Sequence, residues 1–198
     1  MRIDTDNDRT KCWLTRSEIN TLARYAPHRE GELAVRLMGD CGLRSFETVQ
    51  ICPKHKRRSE DGSAWLLRVP RGKDTKDGDG KARDTFLPDS TEQLLHSYQR
   101  DEGLDMDAAY LDVTPRSVRR WVDKAAETAH EATGRDDWTN VSSHDLRRSW
   151  ATYLLVEERR NARIMLAAGG WSDFEAIKPY LAEATEGAIV EELSDVEF

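Results

Sequence analysis

Ser143-His144-Asp145-Leu146-Arg147-Arg148-Ser149-Trp150-Ala151-Thr152-Tyr153-Leu154 is the stretch from which the rest of the chain is read. Leu146, Trp150 and Leu154 recur at helical spacing, so a helix begins at Ser143 and buries that stripe. His144 and Arg147 stand at i and i+3, which puts an imidazole and a guanidinium on one helix face. Downstream, Asn161–Ala168 reads as a further helix ended by Gly169-Gly170. Ser172 and Glu175 then have the spacing of a capping box for a short helix through Ile177. Tyr180 follows Trp171 by nine residues.

Upstream, Thr15 and Glu18 form a capping box that opens a helix through Ile19, Leu22 and Ala23, ending at Pro27. A helix from Gly31 to Cys41 closes on Gly42, a residue suited to a left-handed cap. Arg44 to Val49 reads as one or two further helical turns, with Glu47 three residues after Arg44. The period then changes. Ile51–Lys56, Ala64–Pro70 and Asp84–Pro88 are expected strands, separated by Asp- and Gly-rich turns. Helices return at Ser90, stopping near Gly103, and at Thr114-Pro115, where Pro at the first helical position leads a run to Gly134. The expected fold class is α+β, mainly helical, with a small three-stranded antiparallel sheet.

Composition narrows the function classes. The 198 residues are 38% hydrophobic and 34% charged, a polar surface around a modest core. No apolar run reaches the roughly 20 residues of a membrane span, and the opening residues lack a signal-peptide pattern; a cytoplasmic, nucleoid-associated protein is expected. Three cysteines, Cys12, Cys41 and Cys52, supply neither a disulfide framework nor an all-cysteine zinc site. Cys52 and His55 are two possible metal ligands without a second pair, so no metal or cofactor is expected.

The net charge of −7 is unevenly distributed. The last seventeen residues carry six acids and no base, which leaves −1 on residues 1–181. Lys54 to Arg83 holds ten Lys or Arg against five acids, and a polyanion responds to such a local patch more than to the sum. Arg outnumbers Lys 22 to 8, beside 20 Asp, a style that resembles salt-loving archaeal proteomes.

Taken singly, Arg44, a Lys on the hairpin, His144 with Arg147, Trp171 and Tyr180 each have ordinary structural explanations. Together and in order, GLRSFE, RGKDTK, HDLRRSWATYL and GGWSDFEAIKPYL closely resemble the tyrosine recombinase (phage integrase) catalytic domain across residues 14 to 181. Arg148 stands where the family often has a second His. The LTRSEI segment resembles the opening of that catalytic domain, so the DNA-clamping helical domain of full-length relatives is expected to be absent. Residues 1–13 then read as an N-terminal extension, 14–181 as the catalytic domain and 182–198 as an acidic tail.

The resemblance implies cleavage and rejoining of double-stranded DNA without metal or ATP. Tyr180 would be the nucleophile, Arg44, Arg147 and Trp171 would hold the phosphate, His144 would take the tyrosine proton and Lys73 would protonate the leaving oxygen. Lys54, Lys56, Arg57, Arg58, Arg71, Lys76, Lys81 and Arg148 are candidate phosphate contacts. Relatives assemble as tetrameric synapses, in which the tail could dock on a neighbouring protomer. A non-catalytic DNA-binding accessory protein and a type IB topoisomerase are the alternatives.

Overall fold

Ile19, Leu22 and Ala23 share one side of the first helix, and burying that side is what holds it against the chain that follows. In the computed structural model, which describes residues 1–6, 9–70 and 82–180, this helix is α1 (Arg16–Arg24). Its capping box closes as expected: Thr15 Oγ1 accepts from the Glu18 amide and Glu18 reaches back to the Thr15 amide at 2.9 Å. The next helix, α2 (Arg29–Cys41), starts at a His28 cap rather than at Gly31. Leu33, Val35, Leu37 and Met38 are essentially inaccessible along it. Each such side chain contributes roughly 1.5–3 kcal/mol of burial. This makes α2 the central helix, packed by α1 and by α4 (Asp89–Glu102), α5 (Pro115–Thr133) and α6 (Ser143–Thr152).

The sheet is three-stranded and antiparallel, in the order β3 (Lys56–Arg58), β4 (Trp65–Val69), β5 (Arg83–Leu87). Register pairs Leu67 with Thr85 and Val69 with Arg83, so the buried residues Leu67, Val69 and Leu87 share the core face. The first strand departs from expectation. Pro53 begins a 3-10 turn, Pro53–His55, whose entry is capped by the Cys52 amide donating to His55 Nδ1 at 3.0 Å. The strand therefore starts only at Lys56.

Three further features matter for the site. Within residues 1–13, expected as an N-terminal extension, β1 (Arg2–Asp6) and β2 (Arg9–Trp13) pair as an antiparallel hairpin whose second strand packs against α6. After Thr152 the α6 helix widens into a π turn over Tyr153–Glu157, marked by the Glu158 amide bonding to Tyr153 O at 2.9 Å. The helix expected through Ile177 does not form. Asp173 Oδ1 accepts the Ala176 amide at 3.0 Å and holds a turn, followed by a 3-10 turn at Lys178–Tyr180.

The apolar interior has two parts. The larger surrounds α2. A smaller cluster of Trp150, Ala151, Leu155, Met165 and Ile177 lies under α7 (Ala162–Gly169). No helix among the described residues is long and apolar enough to cross a membrane.

Candidate active site

Arg44 sits at the N-cap of the single-turn helix α3 (Ser45–Thr48), immediately after the Gly42 turn. Gly42 has φ +71°, and a Cβ there would lie 2.4 Å from the Trp150 ring, so only glycine lets this turn approach α6. Glu47 braces Arg44 twice, through its amide at 2.7 Å and its Nη1 at 2.9 Å. The same carboxylate is gripped by Arg83, whose Nη1 and Nη2 reach its two oxygens at 2.7 and 2.8 Å. Arg83 Nε also donates to Ala168 O at 2.9 Å. Burial alone would raise the Glu47 carboxyl, but the hydrogen bonds and charge of Arg83, with Arg44, hold it below its usual range. Glu47 thus stays an anion and fixes the direction of Arg44.

The motif helix α6 opens at Ser142, and Asp145 answers the Ser142 amide at 2.9 Å to complete its capping box. Arg147 projects inward and is only 1% exposed. Its guanidinium donates to Gly42 O and, at 2.6 Å, to Gly169 O. Those carbonyls lie at the C-terminal ends of α2 and α7, where helix dipoles favour a cation. Burial, then the charge of Arg44, lowers the Arg147 pKa, against the pull of Glu47; arginine nonetheless stays protonated at neutral pH.

Trp171 lies beneath Arg147, whose guanidinium carbon is 4.4 Å from the ring centre. The ring stacks on Trp150 at 6.0 Å and meets Tyr180, tilted, at 5.5 Å. A Cβ on Gly169 would fall 1.9 Å from Trp171 Cζ3, so only glycine at this position admits the indole. Tyr180, His144 and Arg148 line a cleft of about 730 Å³, closed on the other side by the β1–β2 hairpin. His144 is open to solvent on its outer edge. The protein around its ring, and then the charges of Arg148, Arg147 and Arg44, push its pKa down to about 4. It is neutral at pH 7 and free to accept a proton.

Five sequence-predicted residues therefore converge: Arg44, His144, Arg147, Trp171 and Tyr180. The basic strand residues are placed otherwise. Lys56 is 7% exposed and paired with Glu92 at 2.9 Å, Lys54 pairs with Asp107, Arg57 with Asp84 at 2.8 Å, and Arg58 covers Trp65 at 4.2 Å. Arg148 pairs with Asp145 and lies 5.4 Å over Trp13. Arg71, Lys73, Lys76 and Lys81 lie outside the described residues, as does the acidic tail. Arg83 was missed. It reads in the sequence as one more member of the basic patch, one residue before the expected strand Asp84–Pro88.

Known proteins share this fold. A family model described as the phage integrase family matches residues 12–186. Solved structures with the same fold include the XerA recombinase, at 18% identity and TM-score 0.66, covering 94% of this chain and 66% of that one. The XerH site-specific recombinase bound to its difH substrate aligns at 16% identity and TM-score 0.70, over 98% of this chain and 56% of that one. The Tn1549 transposon integrase with circular intermediate DNA gives 13% identity and TM-score 0.76, over 98% and 68%. The chain spans roughly half to two thirds of the length of these relatives. No curated protein sequence matches it. Because the family model covers nearly all of the chain, from the first hairpin's second strand past Tyr180, the chain belongs to the phage integrase family of tyrosine recombinases.

Proposed function

We propose that this protein performs site-specific recombination or integration by cutting and rejoining double-stranded DNA through a covalent tyrosine intermediate. The observation that carries the reading is the joining of four separate segments: Arg147 lies over Trp171, Trp171 meets Tyr180, Tyr180 and His144 line one cleft, and the charges of Arg147 and Arg44 act on His144. Two guanidiniums of fixed direction suit the non-bridging oxygens of a phosphodiester, because their forks match phosphate geometry and keep their charge. The Trp171 indole N–H is a third donor to the same group.

In the reaction, Tyr180 Oη attacks phosphorus as its proton passes to His144. The bond from phosphorus to the 5′-oxygen breaks, leaving a 3′-phosphotyrosine and a free 5′-hydroxyl. Lys73 is the donor proposed for the leaving oxygen. The phosphotyrosine keeps the energy of the broken linkage, so rejoining needs no ATP. Catalysis is then mainly positioning and charge stabilisation, with no metal or cofactor in the scheme. The tail at 182–198 is proposed to dock on a neighbouring protomer within a tetrameric synapse. The Asp-rich, Lys-poor composition supports a salt-adapted, haloarchaeal-type source.

The test is a duplex nicked close to the cleavage site, which traps the covalent adduct. Wild-type chain is expected to form it and Tyr180→Phe to form none. Adduct persisting in Tyr180→Phe overturns the assignment.

A further inference from the structure

The hairpin of β1 and β2 precedes almost all of the family match, which begins at residue 12, yet it walls the cleft that holds Tyr180. Its register pairs Arg2 with Trp13, Ile3 with Cys12 and Asp4 with Lys11. Facing residues and their second neighbours share a side of a strand pair, so Ile3 and Cys12 point one way while Arg2, Asp4, Lys11 and Trp13 point the other. The first side is the anchor. Cys12 is fully buried, its amide donates to Asp145 Oδ1 at 3.0 Å, and its Sγ approaches Asn140 O at 3.3 Å. The second side faces the cleft, where Arg2, Asp4, Lys11 and Trp13, together with Ile3, meet His144, Arg148 and Tyr180.

The hairpin is held rigidly to the catalytic helix. Trp13 Nε1 donates to Thr152 Oγ1 at 3.1 Å, and the guanidiniums of Arg2 and Arg148 lie 4.0 and 5.4 Å from its ring centre. Asp145 receives both the Cys12 amide and Arg148, so one buried carboxylate joins the hairpin to the His144 helix. The charged groups facing the cleft are Arg2, Lys11 and Arg148 against Asp4, with His144 neutral. The wall carries net positive charge, with Arg2 laid over Trp13 and Arg148 paired to Asp145.

We propose that the β1–β2 hairpin is a preformed DNA-backbone site, in which Lys11 and Arg2 take phosphates next to the one that Tyr180 attacks. It deepens the recombinase reading and rests on it for the identity of the attacked group. A fixed hairpin spares the ordering cost of a mobile basic arm. It also sets the strand's direction across Tyr180, while the Trp13 ring seats the Arg2 and Arg148 guanidiniums beside the cleft.

The test titrates a labelled duplex with the 198-residue protein over a salt series, followed by anisotropy. Each phosphate contact contributes about 0.9 to the slope of log K against log salt. Lys11→Ala and Arg2→Ala are each expected to flatten the slope by about 0.9, and the double variant by about 1.8; Lys11→Arg should restore it. Asp4→Asn removes the opposing charge and should tighten binding at low salt, a gain that misfolding cannot imitate. Unchanged slopes together with no tightening in Asp4→Asn overturn the hairpin site. Unchanged slopes with the Tyr180 adduct still formed defeat the hairpin alone. Flattened slopes without any adduct defeat the recombinase reading and leave the hairpin site standing. A wild-type chain that binds no duplex at low salt overturns both.

Discussion

Arg83 and Glu47 meet fork to fork, with hydrogen bonds of 2.7 and 2.8 Å between side chains only 5% and 0% exposed. The pair does more than fill the sheet-to-helix joint. Glu47 also holds the amide and guanidinium of Arg44, and Arg83 also ties to Ala168 O beside the Gly169-Gly170 turn. Arg44 and Arg83 thereby grip one carboxylate whose charge also acts on Arg147, leaving the cluster net positive.

Removing one partner of this pair leaves a buried charge without its match. Arg83→Met is expected to cost about 3 kcal/mol of stability, the lower end for breaking a buried ion pair, because Arg44 still reaches Glu47. The double variant Arg83→Met with Glu47→Leu should regain most of that stability in urea denaturation. It should nevertheless lose cleavage, since Arg44 is left unaimed. A double variant as active as wild type would show that Arg44 needs no brace.

Gly169→Ala tests the indole position. The added Cβ overlaps Trp171 Cζ3, and the ring has to leave its place under Arg147. Overpacking of this kind amounts to about 1–3 kcal/mol. If that strain is expressed in the transition state, single-turnover cleavage falls roughly 5- to 150-fold. Near-ultraviolet circular dichroism should change with it, because the Trp150–Trp171 stack is broken. A normal rate with an altered dichroic spectrum would remove Trp171 from phosphate binding.

Local signals with a direct chemical cause were legible in the sequence. The Thr15–Glu18 capping box, the Thr114-Pro115 start, the left-handed cap at Gly42 and the helix end at Gly134 all form as their residue types dictate. The hairpin of residues 1–13 was not legible, because its stability comes from Cys12 and Trp13 binding to α6, some 130 residues away. Pro53 shortened the first strand, since the His55 cap it permits competes with sheet pairing. Asp173 took the Ala176 amide and replaced the helix expected from Ser172. Among the candidate site residues, Arg44, His144, Arg147, Trp171 and Tyr180 stand in the sequence as an ordered set. Arg83 was not, because its role is fixed by tertiary partners alone.

Arg147 is expected to act in the transition state more than in DNA affinity. Losing one such donor costs roughly 10²–10³ in rate by analogy with oxyanion-hole donors. Arg147→Ala also strands Gly42 O and Gly169 O, so Arg147→Lys is the companion variant: it keeps a charge but cannot span both carbonyls. Both should be slow in single-turnover cleavage at saturating DNA. A near wild-type rate in Arg147→Ala takes the residue out of the chemistry.

His144 gives the site a pH signature with a defined sign. Its pKa is about 4 in the folded chain, against about 6.5 when unfolded. Between those values the unfolded state holds the extra proton, so this group's contribution to stability is complete above pH 6.5 and is lost as pH falls toward 4. His144→Gln should flatten the melting temperature across that window. Bound DNA changes the balance, because a phosphate offsets the Arg44, Arg147 and Arg148 charges that help hold the imidazole neutral. Binding then raises the His144 pKa toward neutrality, which makes it a stronger base at the moment Tyr180 gives up its proton. By linkage, DNA affinity must rise as pH falls from 6.5 toward 4, and His144→Gln must lose that rise. Anisotropy titrations at fixed salt measure it directly, and equal pH dependence in the two proteins would place the imidazole outside the field of the phosphate.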